Sequence, residues 1–191
     1  MTDNKNLPKI IENSGLALHK TRNLLSITDK ILASKTLAVN DDAWLDELIA
    51  WADENGIEEG QLPRDKQAIL EMTQLYLCEN QLIKIPESIG KLTNLTNLVL
   101  FNNQLTEIPK SIGLLTNLTK LFLWGNQLTE IPESICKLTN LTELHLDCNQ
   151  LTEVPEFIGN LTNLENLSLT QNPIKSLPPE LSHLNSITKF D

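Results

Sequence analysis

Residues 98–120 read LVLFNNQLTEIPKSIGLLTNLTK, and residues 121–143 read LFLWGNQLTEIPESICKLTNLTE. The second stretch is the first moved by 23 positions, with its leucines, asparagine and proline intact. Self-similarity at a fixed period outranks residue-by-residue propensity as a guide to architecture. Extended both ways, the 23-residue shift aligns Asn80, Asn103, Asn126, Asn149 and Asn172 in one column. Pro86, Pro109, Pro132, Pro155 and Pro178 form another. Leucine pairs recur at 75/77, 98/100, 121/123, 144/146 and 167/169. Leu82, Leu105, Leu128, Leu151 and Ile174 follow, then Ile85, Ile108, Ile131, Val154 and Leu177, each directly before its proline.

Each column has a physical reason. Side chains alternate along an extended chain, so both leucines of Leu-x-Leu point one way and the residue between them points the other. The result is a short strand with one buried side. One unit cannot bury that side alone; stacked units can, and their strands then join one parallel sheet. The Asn stands where the chain leaves the strand. Its amide both donates and accepts, so a stack of Asn can satisfy backbone groups in a bend that has no ladder. Proline, with its fixed φ and no N–H, suits the tight return on the outer side. The Ile-x-x-Leu that follows, as at Ile112 and Leu115, fills the interior from that side.

The pattern Leu-x-x-Leu-x-Leu-x-x-Asn-x-Leu resembles the leucine-rich-repeat superfamily. The added Ile-Pro-x-x-Ile-x-x-Leu resembles its 23-residue class, found in intracellular Ras-group proteins and in bacterial, effector-like repeat proteins. The resemblance spans about residues 62–191, with five units in register and no gap. It implies an α/β fold: a curved leucine-rich-repeat solenoid with a parallel β-sheet on its concave face. For function it implies protein binding, with partners that vary widely.

The units divide the chain into an all-helical N-terminal segment and cap, residues 1–61, and a repeat domain, residues 62–191. The latter comprises a half repeat at 62–71, five 23-residue repeats at 72–186 and a truncated sixth at 187–191. At its start Leu62, Pro63, Ile69 and Met72 align with Ile85, Pro86, Leu92 and Leu95, while Lys66 stands where Ile89 would be. Upstream, Asp41 to Asn55 reads as a helix, with Asn40 or Asp41 to cap its start and Asn55-Gly56 to stop it. Trp44, Leu48, Trp51 and Ala52 recur at helical spacing with Leu45 and Ile49 beside them, a stripe that needs a partner. The open end of the first repeat is the preferred one; a docking role for the two tryptophans is the alternative. Residues 14–34 read as a further helix, with Ala17, Thr21, Leu24, Thr28 and Ile31 along one side, and the first few residues read as disordered. Trp-Leu-Asp-Glu-Leu-x-x-Trp-Ala-Asp-Glu at 44–54, followed by Leu-Pro-Arg-Asp at 62–65, resembles the leader of bacterial repeat proteins. At the other end Ile187 and Phe190 align with Leu164 and Leu167, so a sixth unit starts and then stops at Asp191. An open sheet edge is a pairing hazard. A plug by Phe190, cover by a second subunit, and a chain that is a fragment of a longer one all remain open.

Composition narrows the function classes. Lys and Arg number 15 against 25 Asp and Glu, a net charge of −10. That is the wrong sign for a nucleic-acid contact face or an anionic membrane surface; solubility is the simpler reading. With Trp 3, Tyr 1 and Phe 4, the core must be aliphatic. Cys78, Cys136 and Cys148 form no CxxC pair and fit a reducing compartment, which points to the cytoplasm or to delivery into a host cell. The start Met1-Thr2-Asp3-Asn4-Lys5-Asn6 leads into no cleavable apolar stretch, and no run approaches the roughly 18 apolar residues of a membrane span. Asn-Leu-Thr triplets at Asn94, Asn117, Asn140 and Asn160 have the form of glycosylation acceptors, but they recur because the repeat recurs. Phosphate-loop, dinucleotide, zinc-protease, serine-hydrolase and calcium motifs are absent, and no cofactor is expected.

The outward strand positions carry the candidate site. Tyr76, Val99, Phe122, His145 and Ser168 lie between the leucines. Cys78, Phe101, Trp124, Asp147 and Thr170 follow them; Gln74, Asn97, Lys120, Glu143 and Asn166 precede them. Two residues before each leucine pair, one inside and two after make 25 positions over five units. Tyr76, Phe101, Phe122 and Trp124 are among them, where an even spread of the chain's eight aromatics would put about one. They fall on adjacent strands roughly 4.8 Å apart. An exposed aromatic cluster is the composition of a protein-binding hot spot. Rings that only pack on one another across strands also stabilise, and the two readings are compatible. The fourth unit turns polar, with Glu143, His145, Asp147 and Cys148. His145 and Asp147 face the same way, but Cys148 is out of phase and no third ligand is evident, so a polar rim is preferred to a metal site or a Cys–His nucleophile. Lys120 beside Glu143 reads as a cross-strand ion pair.

The expected contact set is therefore Tyr76, Phe101, Lys120, Phe122, Trp124, Glu143, His145 and Asp147, with no catalytic or metal-binding residues. The expected function is a protein–protein interaction module, a bacterial adaptor or host-directed effector, and not an enzyme. The alternative from another class is a fragment or relative of a repeat-containing ubiquitin-ligase effector, although the cysteines here lie within repeats. Self-association through the C-terminal edge is a third reading.

Overall fold

The computed structural model describes residues 41–183 and the strand at 186–188. The proposed helix at 14–34 and the placement of Phe190 lie outside these residues. The chain divides after Asp41. In the second unit, six parallel strands stand in sequence order in one sheet: β1 (Gln74–Tyr76), β2 (Asn97–Val99), β3 (Lys120–Phe122), β4 (Glu143–His145), β5 (Asn166–Ser168) and β6 (Ser186–Thr188). The register runs Leu75, Leu98, Leu121, Leu144, Leu167 from coil to coil. Each coil returns through a five-residue 3-10 helix: Glu87–Lys91, Lys110–Leu114, Glu133–Lys137, Glu156–Asn160 and Pro179–His183. The repeat proline caps the first four of these in an extended conformation. This is the expected leucine-rich-repeat solenoid, with the sheet as its concave face.

Two apolar walls meet inside. Both leucines of every pair, and the Ile-x-x-Leu of the first four returns, are at most 1% exposed. Each such side chain contributes about 1.5–3 kcal/mol by leaving water, so aliphatic residues suffice for the core. Polar groups inside are held by the Asn column. Asn126 Nδ2 donates to Leu100 O at 3.0 Å and Leu123 O at 2.9 Å, and its Oδ1 accepts from Leu105 N at 3.0 Å. Asn103, Asn149 and Asn172 repeat this pattern. One amide thus joins its own coil to the coil before it.

Two further ladders were not read from the sequence. Asn94, Asn117 and Asn140 donate Nδ2 to Leu70 O, Thr93 O and Thr116 O at 2.7, 2.9 and 2.8 Å. Thr96, Thr119 and Thr142 donate Oγ1 to Thr73 O, Thr96 O and Thr119 O at 3.0, 3.1 and 3.0 Å. Both polar groups of these three Asn-Leu-Thr triplets are joints between coils. The chain also turns through a left-handed residue just before each Asn: Glu79, Asn102, Gly125, Cys148 and Gln171 have φ of 61, 53, 68, 53 and 55°. On the outer side the coils approach closely, and a Cβ on Gly113 would lie 2.4 Å from Ser134 O.

The first coil is covered by α1 (Ala43–Glu54). Leu48 and Ala52 are fully buried in the common core, and Trp44, Leu45, Ile49 and Trp51 pack against it. Trp51 Nε1 donates to Lys84 O at 3.0 Å, so this tryptophan is engaged with the repeats. The N-cap of α1 is Asp42, not Asn40 or Asp41, and it makes no side-chain capping bond. Its carbonyl accepts from Leu45 N and Asp46 N, and its side chain pairs with Lys66. The stop is as expected: Gly56 has φ of +67°, and Ile57 N and Gly56 N return to Ala52 O and Asp53 O, a Schellman closure. A short α2 (Lys66–Glu71) occupies the half repeat, capped by Asp65 accepting from Ala68 N at 2.9 Å. Lys66 is exposed and paired with Asp42, so no apolar residue is needed where Ile89 stands in the next coil.

The last strand corrects the sequence alignment. Ile187 pairs opposite Leu167, not at the place of Leu164. The final coil is therefore three residues shorter than the 23-residue period. Inner coils are held in register from both sides, whereas β6 is paired on one side among the described residues and can sit at the nearest apolar match.

Candidate contact face on the concave sheet

An in-register parallel sheet places equivalent positions one strand spacing apart, so rings in one column can only stack or tilt against one another. Phe101 and Trp124 stack, with centroids 4.4 Å apart and planes 7° from parallel. Phe122 tilts on His145 at 4.8 Å and 54°. All four are half-buried. Tyr76 is 49% exposed, and its hydroxyl donates to Gln74 Oε1 at 2.7 Å. The expectation of four rings close together is corrected here. Val99 stands between Tyr76 and Phe122 in their column, and it is only 5% exposed although it faces outward. Two strand spacings, roughly 10 Å, separate those two rings. The aromatic surface is thus a stacked pair, a ring against a histidine, and a tyrosine at the margin.

The polar rim is built as follows. Lys120 Nζ lies 2.7 Å from Glu143 Oε1, the cross-strand pair expected; it is partly exposed and contributes under about 1 kcal/mol. His145 sits between two carboxylates, Nε2 at 3.9 Å from Glu143 Oε2 and Nδ1 at 4.0 Å from Asp147 Oδ2, too far for hydrogen bonds. Asp147 Oδ1 accepts from Thr170 N at 3.0 Å, from Thr170 Oγ1 at 2.6 Å and from Ser168 Oγ. Sequence reasoning did not assign Ser168 and Thr170 this role, although both stand at outward positions of the next coil. Cys148 lies in the left-handed bend with Sγ 2.6 Å from Gln171 Oε1, turned away from any pairing with His145. Among the described residues no three His, Cys, Asp or Glu side chains could hold a metal ion, and no helix is long and apolar enough to cross a membrane.

A groove of about 1030 Å³ lies elsewhere, lined by Ile85, Ile108, Ile131, Pro132 and Glu107 among others. Its walls are the repeat's own Ile-Pro rows, which the stacking itself generates. The concave face instead holds residues that differ from coil to coil, and on that ground it is the stronger candidate.

A family profile described as a leucine-rich repeat region matches residues 60–191. No curated protein matches the chain. Among solved structures the chain is similar to a leucine-rich-repeat protein of Leptospira interrogans, with 36% identity and a TM-score of 0.61, over 69% of this chain and 34% of that one. It is also similar to the leucine-rich-repeat ectodomain of the membrane receptor kinase GASSHO1/SCHENGEN3 from Arabidopsis thaliana, solved in complex with Casparian strip integrity factor 2. There the identity is 30% and the TM-score 0.56, over 68% of this chain and 16% of that one. The chain spans well under half the length of either.

Proposed function

We infer a binding role from one premise: this chain belongs to the leucine-rich-repeat family, whose domains generally act as protein-interaction scaffolds. The proposed function is capture of a partner protein on the concave sheet. Phe101, Phe122 and Trp124 form the centre, Tyr76 one margin, and Lys120, Glu143, His145 and Asp147 the polar rim. The working unit is the repeat domain, residues 62–191, covered at its first coil by α1 (Ala43–Glu54).

One observation carries this reading. Stacking dictates the inward columns, but it fixes no residue type in the columns of Phe101 and Phe122, and large half-exposed rings gather there on adjacent coils. Such rings are what a partner's apolar anchors need. The Arabidopsis ectodomain's complex supports protein-ligand binding as a use of this architecture. The leader-like stretch at 44–54 and the likeness to a Leptospira protein favour a bacterial adaptor or host-directed effector. The free thiols of Cys78, Cys136 and Cys148 are compatible with a reducing compartment.

Affinity capture with the wild type and with a Phe122→Ala/Trp124→Ala double variant tests the proposal. A specific partner retained by the wild type and weakened by about 2 kcal/mol or more in the variant, with native circular dichroism in both, is expected. Equal retention by both removes this face as the binding surface.

A further inference from the structure

In the column Phe101, Trp124, Asp147, Thr170 two large rings are followed by two short side chains. Phe101 covers one face of the Trp124 indole. Among the described residues no second ring stacks on the other face, and the next side chains of the column, Asp147 and Thr170, are short. This step from rings to short side chains is a notch with the indole as its wall. The indole N–H makes no hydrogen bond among the described residues.

The floor of the notch is a fixed anion. Asp147 is 17% exposed, and its Oδ1 is held by two donors of Thr170 and by Ser168. That leaves Oδ2 without a hydrogen bond, the His145 ring nitrogen being 4.0 Å away. The surroundings are anionic as well. At the outward positions of the five coils, among the described residues, Glu79, Glu143, Asp147 and Glu165 stand against the single cation Lys120, and Lys120 is already paired with Glu143.

We propose that this notch takes an arginine side chain of the partner protein, its guanidinium flat on the open face of Trp124 and its N–H edge on Asp147 Oδ2. The proposal rests on the reading of the concave face as a partner-binding surface and adds what the partner must carry. Charge complementarity calls for a cation. A planar, weakly hydrated guanidinium suits an aromatic wall beside a carboxylate better than a compact, strongly hydrated ammonium.

The test uses three capped peptides, Leu-Gly-X-Gly-Leu with X as arginine, citrulline or leucine, titrated into the full chain and followed by amide and indole NMR shifts. Citrulline keeps the shape and loses the charge. The arginine peptide should shift the Trp124 indole N–H and the Thr170 amide saturably, with citrulline weaker by about tenfold or more. Asp147→Asn keeps the Oδ1 acceptor for Thr170 and Ser168, so the fold should hold while the arginine preference disappears. In Trp124→Leu, which keeps an apolar residue, the preference should disappear as well. Equal binding of arginine and citrulline peptides, or an unchanged preference in Asp147→Asn, overturns the proposal. If the leucine peptide then still shifts Trp124, the contact face survives and only the arginine is wrong. No shift at Trp124 with any peptide counts against both.

Discussion

Gly125 meets Asn102 across neighbouring coils: a Cβ on Gly125 would lie 2.4 Å from Asn102 Oδ1 and 3.4 Å from its backbone nitrogen, at a φ of +68°. Backbone and contact both disfavour a side chain there, although Asn102 and Cys148 bear one at a similar φ in the neighbouring coils. Gly125→Ala should cost about 1–2 kcal/mol from the left-handed backbone alone, plus a contact term. Urea unfolding of Gly125→Ala in the wild type and in an Asn102→Gly background separates the two. The loss should be smaller when Asn102 is absent, and equal losses would show that the contact is not felt.

The Asn column should dominate the polar energetics. Asn126→Ala leaves the Leu105 N–H buried without a partner and takes one of two donors from Leu100 O and from Leu123 O, which keep Asn103 and Asn149. The orphaned N–H alone should cost about 1–3 kcal/mol. Asn117→Ala removes one exposed bond to Thr93 O and should cost under about 1 kcal/mol. Similar unfolding midpoints for the two variants would contradict the ladder's role.

The Phe101–Trp124 stack should show as a coupling. A double-mutant cycle with alanine at both positions should give about 0.5–1.5 kcal/mol between the rings. A null coupling would mean that the rings are together without stabilising one another.

Acid should weaken one joint between coils. Glu87 Oε1 accepts from Lys110 N at 3.2 Å and Oε2 from Ser111 N at 2.8 Å. Desolvation pushes this carboxyl up, but the hydrogen bonds from Ser111 and Lys110, with the Lys110 charge, outweigh it and hold the pKa below its ordinary value. The folded form therefore binds its proton less readily than the unfolded chain. The stabilisation is complete above the unfolded carboxylate value and disappears as pH falls through the folded one. Glu87 is exposed, so the effect is small. Thermal melts between neutral and strongly acidic pH should show a slightly shallower acid loss for Glu87→Gln, and identical profiles would count against the joint.

Much of this was legible in advance. The columns at Leu98/Leu100, Asn126 and Pro132 announce themselves because stacking forces the same residue type into the same place in each coil. The stripe of Leu48 and Ala52 declared a buried helix face, and Lys120 beside Glu143 declared an ion pair. The left-handed column was hidden, since Glu79, Cys148 and Gln171 are not residues that favour that conformation; the demand comes from the bend between coils. The Asn-Leu-Thr joints were hidden because a hydrogen bond to the preceding coil leaves no trace beyond the repetition that already explained them.

Periodicity alone was enough for the solenoid, its sheet and the direction of each strand side chain, because those follow from burying one side of a repeated unit. Coil-to-coil packing settled the rest. It divided the outward rings into a stack and a tilted pair, buried Val99 between neighbours, turned one oxygen of Asp147 toward Thr170 and left the other unbonded, and set Ile187 opposite Leu167. These depend on side-chain size and hydrogen-bonding reach across a spacing of roughly 5 Å, a distance at which the identity of the neighbour, not the period, controls the outcome.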